Sequence, residues 1–121
     1  MTNVCRLKNR RQFVAVKSGA LRRRGAFFSL DILDHKNSKL SSRIGFTVTK
    51  RQGGAVERNR IRRRLKEVVR LRAEGILKAG HDYVVIAKRS ALFANFEDLC
   101  IDFVKLASRK KQIISLRKSR F

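Results

Sequence analysis

Six of the nine residues in Arg58-Asn59-Arg60-Ile61-Arg62-Arg63-Arg64-Leu65-Lys66 are cationic. Arginine's planar fork can donate paired hydrogen bonds to phosphate and stack on bases, whereas lysine supplies a point charge. On a helix pinned down by Ile61 and Leu65, the residues Arg58, Arg62 and Lys66 fall four apart as an exposed ridge, with Arg60 and Arg63 on its flank. Such a row can grip successive phosphates, and Asn59 can read a base edge or a 2′-hydroxyl. Like charges at this spacing weaken an isolated helix by a few tenths of a kcal/mol per pair. Glu57 and Glu67 are too few to offset the ten cations between Lys50 and Arg72, so a solvated face kept only for solubility is the weaker reading and a polyanion partner the stronger.

Hydrolytic chemistry is less well supplied. A protein nuclease needs converging carboxylates for metal ions, or a histidine base beside a nucleophile. His35 falls in a polar turn and His81 opens a strand, while Asp31 and Asp34 lie near a loop. His81 and Asp82 are adjacent in a strand and so point to opposite faces, which leaves Asp82 for capping or turn hydrogen bonds. No catalytic residue and no metal ligand set is expected on this chain. Cys5 and Cys100 have no ligand spacing and make a poor disulfide framework; Cys100 reads as core.

The elements that must position the basic row follow from patterning. Helices are expected over Asn9–Ser18, closed by Gly19 as a left-handed terminator, over Ala55–Ala73 with Ile61, Leu65, Val68 and Val69 as its apolar stripe, and from an Asn95 cap through Phe96 to Ala107. Strands are expected over Ala26–Leu33, where Phe28, Leu30 and Ile32 alternate with Phe27, Ser29 and Asp31, and over Arg43–Thr49, with Ile44, Phe46 and Val48. The polar stretch His35–Ser42 between these two suggests an antiparallel hairpin. His81–Lys88 is apolar on both faces and belongs in the middle of the sheet. The result is an α+β fold, a single-domain two-layer sandwich with a mixed β-sheet in the order α-β-β-β-α-β-α.

Size and charge agree with one RNA-binding domain spanning 1–121, its basic C-terminal tail beginning at about 109. The 121 residues hold 31 Lys and Arg against 9 Asp and Glu, a net charge of +22, and such a surface repels itself unless a polyanion is near. The cations cluster: eight without an acid from Cys5 to Arg24, ten from Lys50 to Arg72, and seven from Lys105 to Phe121. No apolar run long enough to span a bilayer and no export signal is visible, which points to the cytoplasm and away from membranes. A DNA-binding regulator would want a helix-turn-helix pair or zinc spacing, neither of which is seen. A structural RNA-binding protein would share this size and charge.

The stretch Gly45-Phe46-Thr47-Val48-Thr49-Lys50-Arg51, followed by Gly54-Ala55-Val56-Glu57-Arg58-Asn59-Arg60-Ile61-Arg62-Arg63, resembles the signature of the bacterial ribonuclease P protein family. Arg6-Leu7, Gln12-Phe13 and Gly80-His81-Asp82-Tyr83-Val84-Val85-Ile86-Ala87-Lys88 extend the resemblance over nearly the whole chain. It implies a left-handed β-α-β crossover carrying the basic helix, against the usual right-handed rule. It also implies that Arg58, Asn59, Arg60, Arg62, Arg63 and Lys66 face RNA, extended by Lys50 and Arg51, with Ala55 and Val56 fixing the helix entry. A cleft between the first helix and the sheet, mapped onto Phe13, Val16, Lys17, Phe28 and Leu30, would take the single-stranded 5′ leader of precursor tRNA. Where relatives can carry further aromatics, this chain has Lys17 and Leu30. The partners implied are the catalytic ribonuclease P RNA and precursor tRNA, with no obligate protein partner. The RNA subunit would use Mg2+ for endonucleolytic cleavage, and the protein would bind no cofactor of its own.

Overall fold

A computed structural model describes residues 5–7 and 9–108, so the basic tail from about 109 lies outside the described residues. The chain enters as a short strand β1 (Cys5–Arg6) and turns into helix α1 (Arg10–Gly19). Asn9 starts this helix because its side chain accepts from the Gln12 amide at 3.0 Å, while Gln12 returns its side-chain oxygen to the Asn9 amide at 3.3 Å; together they satisfy two otherwise orphaned donors. Gly19 is the last helical residue rather than a left-handed terminator, since the cap falls on Ala20 in extended conformation. A β-carbon on Gly19 would sit 3.1 Å from Leu33 Cδ1, close enough that Leu33 would have to shift by a few tenths of an ångström.

Strands β2 (Leu21–Arg24), β3 (Phe28–Asp34) and β4 (Arg43–Thr47) follow, then a single 3-10 turn at Lys50–Gln52 and the long helix α2 (Ala55–Arg72). β5 (His81–Ala87), a one-turn helix α3 (Ser90–Phe93) and helix α4 (Phe96–Ser108) complete the order. Asn95 caps α4 as expected, its side chain accepting from the Glu97 amide at 3.2 Å.

The five strands are arranged β1-β4-β5-β3-β2. β5 is central, antiparallel to β3 and parallel to β4. The expected hairpin between the strands around Phe28–Leu33 and Arg43–Thr49 is therefore not formed, because β5 lies between them. The hairpin partner of β3 is instead β2, with Leu21 opposite Ile32 and Arg24 opposite Ser29. The basic run Leu21–Arg24 gave little sign of being a strand. Its Arg23 is buried, with a guanidinium N–H donating to the Leu106 carbonyl at the end of α4 at 2.6 Å, and Arg22 forms a two-point pair with Asp31 at 2.7 and 2.9 Å.

Parallel β4 and β5 are joined through α2, so the β-α-β unit carries the basic helix. Ile61, Leu65 and Val68 fix that helix against Phe28, Leu30, Ile32, Ile44, Tyr83 and Val85 of the sheet and Leu99, Cys100, Phe103 and Leu106 of α4. Burying each such side chain stabilises the fold by about 1.5–3 kcal/mol. On the opposite face, α1 sets Val16 against Leu7 and Val84, with Phe13, Leu33 and Ile86 around them. No described helix is long and apolar enough to cross a membrane.

Candidate nucleic-acid interface

α2 presents its polar side outward because Ile61, Leu65 and Val68 are claimed by the sheet and α4. Asn59, Arg60 and Arg63 are exposed, Arg62 and Lys66 half-buried. Val56, Asn59, Arg62, Arg63 and Lys66 together line a shallow groove along the helix. The side chains are partly organised already: an Arg62 N–H donates to the Asn59 side-chain oxygen at 3.0 Å. Lys66 is pushed below the usual ammonium range, first by its partial burial and then by the charges of Arg6 and Arg62. The charge of Arg6 on β1, sixty positions away in sequence, thus reaches this face of α2.

The helix's two carboxylates do not neutralise this face. Glu67 is held by Arg70 at 2.5 Å. Glu57 accepts from the Gly54 amide at 3.1 Å, and both its oxygens are bridged by Arg89 at 2.9 and 3.1 Å; these bonds from Arg89 and Gly54 hold its carboxyl below the usual range. An anion at this position also favours the helix N-terminus.

Arg58 departs from the expected ridge. It is half-buried, its Nε donating to the Gly53 carbonyl at 3.1 Å, so it braces the helix entry. Val56, expected at that entry, is 82% exposed and holds nothing; the entry is set by Glu57, Arg58 and Arg89. Gly53 is required there: its φ is +137°, and a β-carbon would come within 2.3 Å of the Glu57 carboxylate. Lys50 and Arg51 are exposed in the 3-10 turn that leads into the helix.

The second expected site divides. Phe13 is half-buried and Lys17 exposed on α1. Val16, Phe28 and Leu30 are each 0% exposed and cannot touch a ligand. Val16 is the knob by which α1 seats on the sheet, while Phe28 and Leu30 point to the other face, toward α2 and α4, with Phe28 packed 6.5 Å from the Phe103 ring. Period-two alternation gives β3 one apolar face but does not say which helical layer covers it. The strand residues that do share the α1 side are Thr47, Ile86, Ser29 and Arg24, one from each of β4, β5, β3 and β2 at the same register. They make a strip across the sheet, with Arg24 exposed and Thr47 and Ile86 half-buried.

Asp82 is not a turn cap. It is buried beneath the sheet surface, accepting two bonds from Arg43 at 2.7 and 2.8 Å and facing His35 Nε2 at 2.8 Å. Burial opposes its charge, but the bonds from Arg43 and His35 prevail and hold the carboxyl below its usual range. The cluster ties β4, β5 and the loop after β3 together. Cys100 is buried in the core as read from sequence.

The family model for ribonuclease P matches residues 1–111. The ribonuclease P protein component of Bartonella quintana is 44% identical over 97 residues, covering 76% of this chain and 72% of that one. That of Finegoldia magna is 38% identical over 114 residues, covering 92% and 97%. Among solved structures, the RNase P protein from Thermotoga maritima superposes with a TM-score of 0.74 at 24% identity, covering 88% of this chain and 97% of that one. A Staphylococcus aureus RNase P protein gives 0.69 at 22% identity, covering 84% and 90%.

Proposed function

Since the chain belongs to the ribonuclease P protein family, we propose that it binds the catalytic RNA of that endoribonuclease through the outer face of α2 and holds the 5′ leader of precursor tRNA between α1 and the sheet. The observation that carries the first half is the groove of Asn59, Arg62, Arg63 and Lys66, whose neighbouring carboxylates are already engaged by Arg70 and Arg89. Cations left in excess on a rigid helix release counterions from a phosphate backbone, and this term dominates affinity for nucleic acid.

The second half rests on the strip of Thr47, Ile86, Ser29 and Arg24 on the face of the sheet that α1 covers. A partly apolar floor with cations on its rim suits a single strand, whose bases are free to stack while its phosphates track the charge. The chain assists cleavage by bringing two RNAs together and reducing their repulsion. In this reading the Mg2+ that supports hydrolysis belongs to the RNA subunit, as the resemblance to the family implies. The assembly acts in the cytoplasm and calls for no obligate protein partner.

The test is cleavage of precursor tRNA by a bacterial ribonuclease P RNA at low Mg2+, with the wild-type protein and with Arg60→Ala/Arg62→Ala/Arg63→Ala. Rescue by the wild type and its loss in the variant are expected. No rescue by the wild type would overturn the assignment in favour of a structural RNA-binding protein.

A further inference from the structure

Phe93 is the one exposed phenylalanine among the described residues, with 74% of its surface open to solvent. A ring of this size normally lies in a core, and nothing in the packing of α3 requires it outside, where Ala91 and Leu92 supply the buried contacts. The ring is not loose. The guanidinium of Arg89 lies over it at 5.7 Å from the centroid. That guanidinium is in turn held by both oxygens of Glu57 and by the Gln52 carbonyl at 2.8 Å. One aromatic face is therefore backed by a fixed cation, and the exposure leaves the other open.

Its place in the fold is equally specific. The parallel strands β4 and β5 end side by side; β4 leads into the 3-10 turn and the start of α2, β5 into α3. Phe93 thus stands at the same edge of the sheet as Lys50, Arg51 and the first turns of α2. Arg64 of α2 donates to the Ala94 carbonyl next to it, and Arg60, one turn earlier, is exposed on that side of the helix. An open aromatic face, a cation behind it and further arginines beside it form the combination that holds an unpaired base, the ring stacking on it and the arginines meeting the adjoining phosphates.

We propose that Phe93 is a base-stacking platform for a single-stranded RNA segment, extending the α2 interface around the helix N-terminus and separate from the leader strip on the α1 face. This rests on the RNA-binding reading above. Duplex RNA should not use the platform, because its bases are already stacked inward.

The experiment compares wild type, Phe93→Leu and Phe93→Trp in binding a single-stranded RNA oligonucleotide and a duplex of equal length. The chain has no tryptophan, so Phe93→Trp introduces a sole indole reporter at the site. Phe93→Leu, which keeps an apolar surface but no aromatic face, is expected to lose roughly 5- to 100-fold in affinity for the single strand and little for the duplex. Its salt dependence should be unchanged, since no phosphate contact is removed. Phe93→Trp should retain affinity and show quenched emission when the single strand is bound. Wild-type affinity in Phe93→Leu, with emission of the Phe93→Trp protein unmoved at saturation, overturns the platform while the RNA-binding reading stands. Failure of the wild type to bind RNA overturns both.

Discussion

The ring of Phe13 lies against Gly45 so closely that a β-carbon there would come within 2.5 Å of its Cζ atom. The glycine on β4 is thus a seat for an aromatic ring on α1, and the pair sets how deeply the helix settles on the sheet and how far the adjoining strip stays open.

Gly45→Ala should force the ring out of its seat. Overpacking of this kind costs about 1–3 kcal/mol, visible as a lower thermal midpoint. Binding of leader-bearing precursor tRNA should fall more than binding of mature tRNA. Equal losses on the two substrates would separate the Phe13–Gly45 contact from leader recognition.

On α2 the outward and bracing arginines should behave differently. Arg63→Ala removes an exposed cation from the proposed RNA-binding face, so the slope of log affinity against log salt should shrink by about 1 with stability intact. Arg58→Ala also removes the bond to the Gly53 carbonyl and should lower stability by about 1 kcal/mol. Denaturant unfolding beside salt titrations of RNA affinity checks both, and identical profiles for the two variants would refute the distinction.

Lys17→Glu places a negative charge on α1, the helix on the proposed leader-binding face, without touching the core, since Lys17 is exposed. Affinity for precursor tRNA should drop as the leader lengthens past the strip, while affinity for the ribonuclease P RNA alone remains near wild type. A loss independent of leader length would remove Lys17 from the cleft.

Asp82→Asn removes the carboxylate that accepts two bonds from Arg43 and should destabilise the fold by about 1–3 kcal/mol. The wild type carries a matching pH signature. Arg43 and His35 hold the folded carboxyl below its usual value, so the stability it contributes is complete above the unfolded value of about 4. That contribution drains away as pH falls through the lowered folded value. Chemical denaturation from pH 7 to pH 2 should therefore show an acid loss that is smaller in Asp82→Asn. Parallel curves would show that this pair does not control acid stability.

Much of this was legible in the chain itself. The spacing of Ile61, Leu65 and Val68 fixes which side of α2 is buried, so the outward position of Asn59, Arg60 and Arg63 follows from helical geometry alone. The unbroken apolar run around Tyr83–Ile86 marks a strand covered on both faces, and β5 is indeed central. Local capping chemistry, as at Asn95, is equally readable because donor and acceptor lie within a few residues.

What depends on contacts distant in sequence was decided only by the tertiary structure. Alternation shows that Phe28 and Leu30 share a face, but only the packed layers show that this face meets α2 and α4, which removes both from the leader cleft. Adjacent strands in sequence suggest a hairpin, yet pairing is settled by which edges remain free once β5 inserts, and it separates β3 from β4. The Arg43–Asp82–His35 cluster and the pairing of Arg89 with Glu57 arise from residues brought together across the fold. Composition and periodicity determine what each segment can bury; only the packing of segments determines which of the remaining side chains are left facing a ligand.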